Sequence, residues 1–528
     1  MKKSLAVIMA VLVSISTINS LSIATNEEKL KPEEAIFERV AVLQIGSGEH
    51  EVAYTPDIEG IANDGPASFA IDNQGDIYIL DTLNKKVLIL KDGKWDKNID
   101  ISFTNYARDI LIEEKRLFVL DESNFIYELD INGSLENSIK LPDGLEAYQI
   151  VRTYINKNKN IVISDGNSEY EFFGKWNQNS PNITFEYKNN GKSVCIDKDG
   201  KYLSNISFEE ETGGVNIINN DSQENVYLEV IEDVPNSSLV LLESTLRMID
   251  KNGKQVGIAR IPLEEYYNYP LKFYNVTDKG EVYIMALKKD CVEIDRIILG
   301  KSYQSKMKDL KIRASQENEK FQNATDETAQ LALRSDPGIP TRSLVQSRAN
   351  AMIDYNWTYN STNTIKPSTD VTTPDYLSIV TSIPQNFTGI PYCWGGFDGV
   401  DRSSNSGQWS NYQDAMSKGK FAGNVYCSGG WKSGTAGLDC SGFASAAYGF
   451  TIKYGTSSFA SMGTLKTTPL YMDYYVKAGE HILLFKSNKD TTTINSQEAT
   501  TSGDDKTKNY TRTKLWLSTN GYSLRSFW

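Results

Sequence analysis

Cys440 stands in the string Gly437-Leu438-Asp439-Cys440-Ser441-Gly442-Phe443, at the entry to an expected short helix. Ala444, Ala446, Ala447 and Tyr448 favour that helix, and Gly449 offers its stop. A thiol at a helix N-terminus meets the positive end of the peptide dipoles, which favours the nucleophilic thiolate. The chain holds only two histidines: His50 in a polar N-terminal stretch, and His481, 41 residues after the cysteine at the head of an apolar run. Together Cys440 and His481 are the equipment of a cysteine hydrolase. The thiolate attacks an amide carbonyl to give a thioester, and the imidazole takes the thiol proton and later delivers it to the leaving amine. A buried inert thiol is the commoner role of a cysteine. Asp439 and Ser441, however, flank this one with polar groups that a core thiol does not need.

The histidine needs an orienting partner. Glu480-His481-Ile482-Leu483-Leu484-Phe485 reads as one strand and residues 493–499 as the next, across a polar turn. If residue 486 opposes residue 493, then His481 opposes Glu498 on one face, and Gln497 points to the other. A one-residue slip would exchange the two. Glu498 is therefore the expected third residue, with Gln497 as the alternative, and Glu498→Ala is expected to lose less activity than His481→Ala. The backbone N–H of Cys440 is the expected oxyanion donor.

Upstream lies a second unusual string, Gly389-Ile390-Pro391-Tyr392-Cys393-Trp394-Gly395-Gly396. With the cysteine string, the histidine opening a strand and the later polar residue, the ordered set resembles the NlpC-type peptidoglycan endopeptidases, papain-like bacterial cell-wall hydrolases. The resemblance covers roughly residues 345–528 and no more. It implies an α+β papain-like cysteine peptidase domain acting on peptidoglycan stem peptides, at the bond from γ-D-glutamate to a diamino acid. It also implies that Tyr392, Asp439 and Ser441 shape the substrate-binding cleft. Trp394 is read as aromatic packing. An amide hydrolase or acyltransferase on another exported substrate, and a non-catalytic wall-binding scaffold, are the competing readings.

These residues need a scaffold, and 528 residues exceed what one core usually serves. Lys2 and Lys3, the apolar run from Leu5 to Ile15 and the small residues Ser22-Ile23-Ala24 read as a secretory signal over residues 1–24. The mature chain is expected to be secreted or cell-wall associated in a bacterium, and not an integral membrane protein. Residues 36–300 read as short strands and polar turns, as in Ala70-Ile71-Asp72-Asn73-Gln74-Gly75-Asp76-Ile77-Tyr78-Ile79. Related units recur, with Tyr78 to Phe118 spanning 40 residues and Phe118 to Val162 spanning 44. That period predicts an all-β propeller of about six blades, with the strand near residues 38–45 closing the ring. The longer step from Tyr227 to Tyr283 predicts a loop insertion. Residues 301–340 read as a helical connector, with Leu310, Ile312, Leu331 and Leu333 as spaced apolar positions. Residues 341–528 form the catalytic domain, opening with a helix that turns Leu344, Ala349 and Met352 inward.

The chain carries a net charge of −13, with 16 Lys/Arg and 13 Asp/Glu in residues 345–528. That part is therefore +3 and the remainder −16, a balance that argues against nucleic acid as a partner. The propeller is expected to position the wall substrate or to hold a protein ligand. The isolated domain, residues 340–528, is expected to fold and cleave small peptides by itself. Five cysteines leave an odd one in an exported chain, and Cys393 and Cys427 are candidates for a bridge, although spacing does not fix connectivity. The chain has no His-Glu-x-x-His string and no Gly-Lys-Ser/Thr phosphate loop. Thiol chemistry calls for no metal and no organic cofactor.

Overall fold

Turn chemistry sets the N-terminal half. Asp72, Asp130 and Asp250 each stand three residues before a left-handed glycine, Gly75, Gly133 or Gly253. Each aspartate accepts backbone N–H groups two and four residues on, as in Gln74 and Asp76 to Asp72 at 2.9 Å. These Asx turns join strands whose alternate residues are apolar, so antiparallel sheets follow. The computed structural model describes residues 31–55, 58, 60–210, 213–323, 340–425 and 430–528. The expected signal, residues 1–24, lies outside them.

Six antiparallel sheets succeed one another along the chain. The first four begin with the strands Ser68–Ile71, Ala107–Glu113, Arg152–Ile155 and Ile183–Lys188, the fourth having three strands and the others four. The fifth runs from Gly213–Asn220 to Gln255–Ile261, and the sixth from Tyr274–Val276 to Cys291–Ile298. The strand Ile36–Gln44 then pairs antiparallel with Cys291–Ile298 and completes the sixth sheet. First strands touch between the first and second, second and third, and fifth and sixth sheets, the fourth and fifth share one core, and the sixth returns onto the first. The result is a closed six-bladed propeller, and its ring is locked by joining the two ends of the domain. The long Tyr227–Tyr283 step has a physical source: strands of eight residues in the fifth blade, and a crossing over residues 262–273 that holds the 3-10 turn Leu263–Glu265.

The connector is helical over Met307–Asn323, where Met307, Leu310 and Ala314 pack on Val234, Leu239 and Leu241 of the fifth blade. Ile312 is 50% exposed, because the helix turns its Met307-Leu310-Ala314 stripe to the blade. Leu331 and Leu333 lie outside the described residues. The helix Arg342–Ile353 is capped by Thr341 and buries Val345, Ala349 and Met352. Leu344, expected inside, is 44% exposed.

The C-terminal part is an α+β unit around a six-stranded antiparallel sheet. Its strand order is Thr464–Leu465, Ser523–Ser526, Tyr474–Lys477, His481–Asn488, Thr493–Thr500 and Lys506–Thr513. The helix Cys440–Tyr448 packs on one face, where Ile482 and Leu484 join Phe443, Ala447 and Tyr448 in one core. Leu483, Phe485, Leu515, Trp516 and Leu517 face the other way, into a core shared with Ile231, Leu246, Tyr269 and Phe273 of the propeller. The hairpin tip between the histidine and glutamate strands reaches two blades and the 3-10 turn Ala147–Gln149 that leads into a third. Lys489 donates to the Gln149 carbonyl, Thr491 meets Tyr187 at 2.7 Å, and Thr492 donates to Asn216 at 2.7 Å. Residues Pro32–Trp528 hold together as one compact unit.

Candidate active site

Asp439 builds the turn that presents Cys440. It is the N-cap of the helix Cys440–Tyr448, and its Oδ1 accepts from the Gly442 N–H at 2.6 Å and the Ser441 hydroxyl at 3.0 Å. Its Oδ2 accepts from the Gly395 N–H at 2.9 Å and pairs with Lys453 at 2.8 Å. Asp439 and Ser441, expected to line the substrate cleft, are both buried and make these cap contacts. The helix is stopped by Gly449 in the left-handed region, φ 80°.

The two motif strings are knitted together by backbone. Leu438 N donates to the Pro391 carbonyl at 3.1 Å, and Cys393 N donates to the Leu438 carbonyl at 3.0 Å. Glycine permits the approach: a Cβ at Gly442 would sit 2.1 Å from the Gly396 oxygen, and one at Gly437 2.3 Å from the Pro391 oxygen. Cys393 is a free, buried thiol, 3.3 Å from the Thr435 hydroxyl, and burial pushes its pKa well up. Cys427, its candidate partner, lies outside the described residues.

His481 opens its strand directly after Glu480, whose carbonyl accepts from Cys440 Sγ at 3.9 Å. His481 Nε2 lies 2.8 Å from Glu498 Oε2. Burial works against the Glu498 charge. The Arg512 guanidinium and the His481 hydrogen bond outweigh it and hold the carboxyl well below its usual range. An ionised carboxylate can only accept, so Nε2 carries the proton. Nδ1 is then the basic nitrogen, and it is buried with no hydrogen-bond partner among the described residues.

The register that brings these groups together differs from the expected one. Leu484 pairs with Gln497 and Phe485 with Ser496, and the ladder shifts between Phe485 and Ser487. One further step along the ladder sets Glu498 against Leu483, which makes His481 its diagonal neighbour on the same face instead of its direct opposite. A slip of two preserves the face where a slip of one would have exchanged Glu498 for Gln497. Gln497 points to the helix side and donates to Asn350 at 2.7 Å and Asn509 at 3.1 Å.

Arg512, which the sequence reading passed over, completes the cluster. Its Nη2 donates to Glu498 Oε2 at 2.8 Å and its Nε to Oε1 at 3.2 Å, while Ser496 donates to Oε1 at 2.6 Å. Arg512 lies between the rings of Tyr510 and Trp516, at 4.6 and 4.3 Å. Its only local signal was the alternation Lys508-Tyr510-Arg512 in the strand after Glu498.

The propeller closes the site. Tyr392 Oη donates to the Gly60 carbonyl, and Gly60 N donates to the Glu480 carbonyl at 2.5 Å. Gly60 thus bridges the tyrosine segment and the residue before the histidine. It adopts φ 91°, and a Cβ there would fall 2.9 Å from Tyr392 Oη. Ser502 donates to Asp64 of the same propeller segment at 2.7 Å, and Trp516 Nε1 donates to the Asn63 carbonyl at 3.2 Å. Cys440, His481 and Tyr392 each have 0% exposure. Among the described residues no helix is long and apolar enough to cross a membrane.

The chain matches no family model and no curated protein sequence. It is similar to solved structures that each overlay about half of it. A virginiamycin B lyase from Staphylococcus aureus has TM-score 0.30 and 11% identity, covering 50% of this chain and 100% of that one. BamB from Moraxella catarrhalis has TM-score 0.29 and 11% identity, covering 49% and 100%. The WD40 β-propeller domain of Doa1 has TM-score 0.27 and 9% identity, covering 52% and 97%.

Proposed function

We propose that this chain is an exported cysteine peptidase of the NlpC type that hydrolyses amide bonds in peptidoglycan stem peptides. One observation carries the reading. His481 donates a hydrogen bond from Nε2–H to the ionised Glu498 at 2.8 Å and keeps a buried, unbonded Nδ1, while the Cys440 thiol contacts the carbonyl of the residue just before it. That is the division of labour a thiol–imidazole pair needs. Cys440 Sγ attacks the carbonyl carbon, Nδ1 takes the thiol proton, and the oxyanion meets the N–H groups at the helix N-terminus. His481 passes the proton to the leaving amine, and water then hydrolyses the thioester. The papain-like assignment, a nucleophile helix packed on an antiparallel sheet whose strand opens with the histidine, belongs to this proposal. So does the stem-peptide substrate, which rests on the ordered strings around Tyr392 and Cys440.

A second reading draws on a different observation. With Cys440 and His481 fully buried and Gly60 across the cleft, the chain fits a scaffold whose site is shut. Alkylation by iodoacetamide at pH 6 separates the two, with the partly exposed free thiols Cys195 and Cys291 as internal references. A peptidase labels at Cys440 fastest, and His481→Ala removes that lead. Labelling of Cys195 and Cys291 ahead of Cys440 in the folded chain would favour the scaffold.

A further inference from the structure

The third residue of this constellation is a full carboxylate, yet it does not stand alone. Arg512 binds both of its oxygens, at 2.8 and 3.2 Å, and is itself buried. The ion pair carries no net charge. Arg512 is further held by Thr500 at 3.1 Å and by Ser502 at 3.2 Å, and Ser502 donates onward to Asp64 of the propeller at 2.7 Å. Two aromatic rings fix the plane of the guanidinium, which favours the two-point grip on Glu498.

We propose that Arg512 is a positioning residue that cancels the charge of Glu498, so that His481 is oriented by an effectively neutral partner and its basicity is set by the pair. The inference rests on the peptidase reading for its catalytic meaning. The chemical reason is direct. An isolated buried carboxylate at 2.8 Å would hold the imidazole strongly in its protonated form and weaken it as a base. A guanidinium on the far side of that carboxylate removes most of this pull while keeping the hydrogen bond that fixes the ring.

The other charged groups around the pair are accounted for. Glu480, directly before the histidine's strand, is paired with Lys477 at 2.5 Å. Lys508, opposite Glu498 in the ladder, is taken by Asp504 at 3.0 Å and Glu122 at 3.6 Å. Tyr522 is buried and feels Arg512, Glu498, Glu480 and Cys440, and burial keeps its hydroxyl protonated. Cys440 stands on the helix side, and Asp64 lies beyond Ser502.

The test is the titration of His481 by NMR in the full chain with labelled histidine. A Cys440→Ala background removes coupling to the thiol. Because the chain has only two histidines, His50 serves as the internal control. Arg512→Gln should raise the His481 midpoint, and Glu498→Gln should lower it, each by about one unit or more. The double variant Glu498→Gln/Arg512→Gln should stay close to the parent, since it replaces one neutral pair by another. It also leaves no uncompensated buried charge, so it reports even where a single variant fails to fold. A double variant whose midpoint falls by a unit or more, or an Arg512→Gln chain with an unmoved His481, would overturn the proposal. Arg512→Lys, which keeps the charge, should titrate near the parent, and a shift as large as that of Arg512→Gln counts against charge cancellation. The titration uses no substrate. A chain that titrates as described yet cuts no peptide keeps the charge cancellation and loses the peptidase reading.

Discussion

At the scale of residues, Cys440 and His481 have the simplest consequences. Cys440→Ala removes a small group from a capped helix, so turnover should vanish while thermal unfolding stays near wild type. His481→Ala should lower kcat by on the order of 10²–10⁴, since the other histidine, His50, packs on Trp95 in the propeller. Glu498→Ala needs revision against the sequence-based expectation of a mild loss. Glu498 is fully buried on Arg512, and truncating it strands the guanidinium, at a cost of about 3–5 kcal/mol. Loss of folding in a thermal melt is therefore the expected outcome. Glu498→Ala melting like wild type would mean that the ion pair contributes little. The nearness of Cys440, His481 and Glu498 was legible because each belongs to a short string or a strand alternation. Arg512 was not, because its role comes from a strand pairing that local sequence does not show. Asp439 and Ser441 read as cleft residues because of their place beside the thiol, but that place is also the N-cap position, and the cap uses both side chains.

Elements fix how precisely these groups are presented. Gly442 lies in the helix Cys440–Tyr448 with the Gly396 oxygen 2.1 Å from where a Cβ would be. Gly442→Ala should cost about 1–3 kcal/mol by overpacking, and the relief, a shift of the helix, should lower activity beyond what the stability loss accounts for. Comparing kcat/KM with the melting temperature in that variant checks this. The hairpin tip gives a pH-dependent prediction. Burial against the propeller lowers Lys489 to about 8, against ~10.4 in an unfolded chain. Between those values the unfolded chain binds more protons, so this lysine's contribution to stability rises from about pH 8 to about pH 10. Denaturant titrations at both pH values should show that increment shrinking in Lys489→Met. The hairpin itself was legible from two apolar runs and a polar turn. Its register was not, because the ladder shift beside Lys486 depends on neighbouring strands.

The whole molecule departs furthest from what local sequence suggested. Blade period and polar turns announced the propeller, and the strand near residues 38–45 was expected to close its ring, as Ile36–Gln44 does. What the period could not show is that the C-terminal sheet shares one core with the blades, through Trp516, Leu517 and Phe485 against Tyr269, Phe273 and Leu246. The opposite net charges of the two parts carry no sign of this apolar seam. A fragment of residues 340–528 was expected to fold alone. It would expose that seam and lose Asn63 and Asp64, so it should be aggregated or molten, with ANS binding and poor thermal cooperativity. A soluble, cooperatively folding and active fragment would show that the seam is dispensable.

The most direct measurement is mass spectrometry of the fragments released from purified peptidoglycan by the full chain, beside the Cys440→Ala chain. The account predicts stem-peptide fragments cut at an amide bond, one new amino and one new carboxyl terminus for each cut, and none from the variant. Equal release by the two chains, or no peptide-bond cleavage by a folded wild-type chain whose Cys440 fails to outpace Cys195 and Cys291 in alkylation, would contradict it.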